Sequence, residues 1–114
     1  MSDEVAYLII EPSGLVTFKR GPLETKDAMD IVGGDIEIQA PPRDVDVQVI
    51  ANPDGHKLGL DANWAATRLI RGSLRPSEFL TGTVIVTGPA DGMGYPSSIT
   101  AETEAKVRSI VADK

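Results

Sequence analysis

One histidine, seven serines and no cysteine are the first places to look for catalysis or metal binding in this 114-residue chain. His56 follows directly on the turn tetrapeptide Asn52-Pro53-Asp54-Gly55, a place where a side chain meets solvent far more often than substrate. Without a second histidine or any cysteine, zinc would have to be held by carboxylates alone, which it rarely accepts. Calcium would require Asp and Asn at alternate positions closed by a Glu, and "ANPDGHKLGLD" lacks that series. No serine sits in a nucleophile-elbow sequence. A triad assembled from distant positions is compatible with any spacing, but nothing here raises its standing. The glycines of "GPADGMGYPSS" give one candidate ligand loop, Gly92, Gly94 and Tyr95. That loop does not open a helix after a strand as a phosphate-binding loop would, and a plain surface loop is the simpler reading. The expectation is a protein with no catalytic residue, no metal and no cofactor.

The segment "DANWAATRLIRG", Asp61 to Gly72, carries the chain's one tryptophan. As a helix it places Ala62, Ala65, Ala66 and Leu69 at the i, i+3, i+4, i+7 spacing of a core-facing stripe. Trp64, Thr67, Arg68 and Arg71 then fall on the opposite face. Two readings stand. Trp64 lies under a neighbouring loop with Arg68 over its ring, a cation–π contact of roughly 0.5–1 kcal/mol. Or Trp64, Arg68 and Arg71, with Asn63 beside them, form an exposed partner-binding face, since Trp and Arg are enriched at interface hot spots. On either reading the small alanines let the helix lie close against a sheet.

The elements that must position these residues follow from turn chemistry and periodicity. "EPSG" at 11–14 and "NPDG" at 52–55 put Pro second and Gly fourth, the preferences of a type I turn. "VAYLII" and "LVTFKR" flank the first; "VDVQVIA" and "HKLGL" flank the second, so both units read as hairpins. Val45, Val47 and Val49 alternate with polar residues, the period of a half-buried strand. After the first hairpin comes "ETKDAMDIVGG", a helix with Ala28, Ile31 and Val32 on one face and glycines as its stop. The strand "DIEIQA" follows. After the second comes the Trp64 helix and the strand "GTVIVTG". The order strand, strand, helix, strand thus occurs twice, across 4–40 and 45–88, joined at Pro41–Asp44, and reads as an ancient duplication or as two hairpins sharing one turn chemistry. A last helix spans 100–113, with Thr100 as N-cap, Glu102 and Glu104 in the first turn and Val107, Ile110 and Val111 as its apolar stripe. The predicted fold is a single α+β domain: six strands in a mixed or antiparallel, curled sheet covered by helices.

Composition bounds the partners. Hydrophobic residues at 41% and charged residues at 25% are those of a soluble globular domain. The net charge of −6 disfavours broad nucleic-acid binding. Asp27, Asp30, Asp35, Glu37, Asp44 and Asp46 are scattered, which suits a solvated surface better than a DNA mimic. No apolar run approaches the ~18 residues of a membrane span. The start "MSDEVAYLII" lacks a basic secretory n-region, and the lack of cysteine suits a reducing cytoplasm.

"IIEPSGLV", "VGGDIEI", "ANPDGHKLGLDANWAATRL" and "LTGTVIVTG" together resemble a family of small domains of unknown function from actinobacteria, their plasmids and their bacteriophages. The resemblance runs through most of the chain. It places Asn63 and the Ala66–Thr67 pair on recurrent positions and Trp64 on a variable one. It carries no activity, and it implies an origin among mobile elements, whose small acidic proteins commonly bind host machinery. The expected function is therefore that of a non-enzymatic phage or mobile-element protein that binds and modulates a host protein in the host cytoplasm. The alternative is a small-ligand binder that sequesters a nucleotide signal, with Asn63, Arg68 and the glycine loop near Tyr95 lining a pocket between subunits of a homo-oligomer. An enzyme ranks third.

Overall fold

"VAYLII" and "VIVT" are unbroken apolar runs, and such runs belong to strands covered on both faces. In the computed structural model, which describes residues 4–39, 45–70, 78–90 and 96–112, they are two of the three inner strands of the sheet. The chain runs β1 (Val5–Ile10), β2 (Val16–Gly21), α1 (Thr25–Val32), β3 (Glu37–Ile38), β4 (Gln48–Ala51), α2 (Trp64–Ile70), β5 (Val84–Thr87) and α3 (Ala101–Ala112). The sheet is open and antiparallel throughout, in the order β2-β1-β5-β4-β3. This is a single α+β domain with a C-terminal helix, as the sequence predicts.

Strand alternation divides the core in two. Ala6, Leu8, Ile10, Val49, Ala51, Val84 and Val86 pack with Ala65, Ala66, Leu69 and Ile70 of α2 and Val107 and Val111 of α3. Tyr7, Ile50 and Ile85 point the other way, to Ala28 and Val32 of α1 and to Leu23. The sheet is therefore a middle layer, two helices on one face and one on the other.

Local chemistry fixes the helix ends. The Glu24 N–H donates to Asp27 Oδ2 at 2.9 Å at the start of α1. Its stop is Gly33 at φ 82°, where the N–H groups of Gly33 and Gly34 both reach Met29 O, at 2.9 and 3.0 Å. A side chain at Gly33 would be strained, because L-residues rarely hold that φ. Thr100 caps α3 as expected, its Oγ1 accepting the Thr103 N–H at 3.1 Å. The first turn is also as read: Gly14 N–H donates to Glu11 O at 2.8 Å between β1 and β2.

The second hairpin is a correction. "HKLGL" forms no strand: residues 53–59 are a run of turns, held by Leu58 N–H to Asp54 O at 3.0 Å and Leu60 N–H to Gly55 O at 2.9 Å. Two physical reasons account for it. β4 is already paired on both sides, by β5 and β3, so no edge is left for a returning arm. And His56, Lys57, Leu58 and Gly59 are all exposed, so the segment has no face to bury. The sheet consequently has five strands where six are expected, and the two expected units run β1-β2-α1-β3 and β4-turns-α2-β5. The strand in "DIEIQA" is confined to Glu37–Ile38. Val45, Val47 and Val49 are buried as their alternation predicts, although the strand starts only at Gln48. The expected joint at Pro41–Asp44 lies outside the described residues.

One titratable group is locked into this core. Burial, and secondarily the Asp27 carboxylate, push the Tyr7 phenol above its ordinary 10.0. The folded chain thus keeps a proton that the unfolded chain gives up, so stability falls as pH rises above 10. In alkaline urea titrations Tyr7→Phe should flatten that loss relative to the parent. An unchanged slope would show that Tyr7 does not drive it.

Candidate functional site

The site begins at a buried amide. Asn63 precedes α2, is wholly inaccessible, and uses every polar atom of its side chain. Its Nδ2 donates to Ile10 O at 2.9 Å and to Gly82 O at 2.8 Å, while Oδ1 accepts the Ala66 N–H at 3.0 Å as an N-cap. Thr67, one turn on, donates its hydroxyl to Asn63 O at 2.7 Å and accepts the Leu80 N–H at 2.9 Å. The Asn63 N–H closes the set on Leu80 O at 2.8 Å. These bonds tie the end of β1, the approach to β5 and the start of α2 into one joint.

Trp64 is the next residue, and the joint's geometry throws its ring outward. It is 51% exposed. The ring meets Phe79 at 4.9 Å between centroids, tilted by 37°. Phe79 in turn meets His56 edge to face, at 4.9 Å and 69°. Phe79 immediately precedes Leu80 of the joint. His56 is placed by the turns after β4: Asn52 Oδ1 captures the Asp54 N–H at 2.8 Å, and Gly55 packs on the Thr81 side chain where any Cβ would overlap it. Three separate segments thus deliver one ring each to a short aromatic ladder.

The expected partner-binding face is redistributed. Ala65, Ala66 and Leu69 are buried as predicted, and Trp64 is on the outer side. Thr67, placed with Trp64 by helical spacing, is buried, because its hydroxyl has Asn63 and Leu80 as partners. Asn63 is a correction as a partner-binding residue: it presents nothing outward and all its polar atoms are used inside. Arg68 does not stack on Trp64. Its Nη1 donates to Val111 O at 2.7 Å, so the guanidinium holds the last turn of α3 against α2. Arg71, and the loop residues Gly92, Gly94 and Tyr95, lie outside the described residues. Phe79 and His56 are what sequence reasoning missed as ladder members, since their spacing from Trp64 follows no helix or strand period.

The ladder can contribute a stepped, partly desolvated aromatic surface with a nitrogen heterocycle at each end. Half-exposed Trp beside Phe is contact chemistry, suited to burying an apolar or planar group. The joint beneath it anchors the Trp64 backbone through buried hydrogen bonds, which lowers the entropic cost of presenting the ring.

Asn63→Ala should cost about 3 kcal/mol or more, because two buried carbonyls and the α2 cap lose their partner together. Asn63→Asp should be no better, since a carboxylate cannot donate to Ile10 O and Gly82 O. Urea denaturation of both variants reads this directly; a loss below about 1 kcal/mol would show that the joint contributes little.

The comparisons with known proteins bear on the whole chain. No curated protein and no solved structure matches it significantly. A family model described as Domain of unknown function (DUF3846) matches residues 5–111, from the first strand into the last helix. The chain therefore belongs to the DUF3846 family.

Proposed function

We propose that this protein is a non-enzymatic binding module of a mobile element, and that it engages a host protein through the His56–Phe79–Trp64 ladder. The observation that carries the reading is the exposure of Trp64, 51% accessible while stacked on Phe79 over a joint in which every polar atom is satisfied. A tryptophan needed only for packing would gain roughly 25 cal/mol for each Å² of ring surface it buried. Leaving half of it in water is a cost that a binding surface recovers on contact. The nucleotide-binding alternative draws less support, because the Asn63 side chain is wholly engaged within the fold and Arg68 commits Nη1 to Val111 O.

Trp64→Ala is the decisive variant. Losing the contact with Phe79 and the half-buried ring should lower stability by about 1–2 kcal/mol, between the cost of an exposed and of a buried aromatic. Partner affinity should fall by roughly 2 kcal/mol or more, on the order of thirtyfold. The experiment is affinity capture from host lysate with the parent, Trp64→Ala and a distant surface control, Ser109→Ala, followed by titration of the captured protein. Retention of the partner by the parent and control, with loss from Trp64→Ala, supports the reading. Equal retention by Trp64→Ala overturns the ladder as the contact. A melting shift with nucleotides that Trp64→Ala leaves unchanged would favour the ligand-binding alternative.

A further inference from the structure

The sheet has a second feature that the aromatic ladder does not use, the edge at β2, which no other strand of the described residues pairs. Which backbone groups it offers follows from the ladder pattern. Glu11 N–H donates to Leu15 O at 3.0 Å, and the β1–β2 register carries that hydrogen-bonded alternation to Ile9–Thr17, Tyr7–Lys19 and Val5–Gly21. The other residues of β1 bond away from β2. Ala6 N–H reaches Ser98 Oγ at 2.9 Å, Ala6 O accepts the Ile99 N–H at 2.8 Å, and Ile10 O accepts from Asn63. By the same alternation Val16, Phe18 and Arg20 turn their N–H and C=O groups outward from the sheet.

The side chains on this edge are equally specific. Phe18 pairs with Leu8 and so shares the face covered by α2 and α3, yet it is 45% exposed. Val16, on the same face, is partly buried against the core there, so this side of β2 carries two apolar side chains that the core covers only in part. Arg20 follows Phe18 on that face and Lys19 lies on the opposite one, both exposed, so the edge carries one cation on each side in a chain of net charge −6. Arg20 meets Glu4 only at 3.8 Å, with both side chains well exposed, a weak pair that a better ligand displaces.

We infer that the β2 edge is a docking site for an extended acidic segment of another protein, which adds as a sixth strand beside Val16–Gly21. Backbone bonds to Val16, Phe18 and Arg20 supply affinity, Phe18 supplies an apolar contact, and carboxylates opposite Lys19 and Arg20 supply selectivity. Charge decides against a second copy as the occupant. β2 holds two cations and no carboxylate, so pairing it with itself sets like charges together. Edge lysines are a recognised guard against self-pairing, and the same charges select an oppositely charged strand.

The test uses the full chain and a fluorescent, acetylated peptide of alternating Val and Thr carrying two adjacent Glu, with a Lys-substituted twin as control. Fluorescence anisotropy should show binding of the Glu peptide, weakened by salt, and binding of the Lys twin at least about tenfold weaker. Phe18→Pro removes an outward N–H without touching a bond to β1, so melting should change little while peptide binding is lost. Lys19→Glu with Arg20→Glu should reverse the preference between the two peptides. Trp64→Ala should bind the Glu peptide as the parent does, which separates this edge from the ladder. Equal binding of both peptides, binding retained in Phe18→Pro, or concentration-dependent self-association of the parent abolished by Phe18→Pro would each overturn the inference.

Discussion

The carboxamide of Asn63 is the point on which the sheet and the helix layer of α2 converge. Its two donated bonds join the ends of β1 and β5, and its accepted bond starts α2. A hydrophobic core alone would let α2 slide along the sheet, because alanines at 65 and 66 make a smooth contact. The amide makes one position cheaper than its neighbours, since any shift strands buried carbonyls. Thr67 repeats the argument one turn later against Leu80. Position is thereby specified by polar groups and tightness by apolar ones.

That joint also explains why Trp64 is where it is. The residue after an N-cap opens the first turn of its helix, and the stripe that faces the sheet is already taken by Ala65, Ala66 and Leu69. Trp64 has no inward direction left, so it lies over Phe79 at the rim. The exposed ring and the buried amide are consequences of one helix phase. Arg68, on the adjoining turn, is drawn to the α3 C-terminus, where a row of carbonyls lacks helical partners.

Much of the fold was legible because its signals are local. Pro and Gly marked the turn at Glu11–Gly14, the valines at 45, 47 and 49 marked a buried alternation, and Thr100 marked the start of α3. The failures are non-local. "HKLGL" has strand-like residues, but whether it pairs depends on a vacancy beside β4, and β3 and β5 fill both sides. The site was half legible for the same reason. Helical spacing placed Trp64 outside and Leu69 inside, yet placed Thr67 outside as well, since spacing knows nothing of Leu80. Phe79 and His56 reach the ladder only through tertiary contacts, and no period connects them to Trp64.

The pairing of β1 with β5 has a kinetic side. Leu8 lies opposite Val86, so the innermost seam of the sheet joins strands from opposite ends of the chain. Closing such a long loop carries an entropic toll before any contact repays it, and proteins rich in distant pairings reach the native state slowly. On the ribosome the β1–β2 hairpin is complete early, but one side of β1 stays open until residues 84–87 emerge. The most apolar strand of the molecule is therefore its longest-waiting one, and an apolar strand with an unpaired side is open to pairing with other chains for that interval.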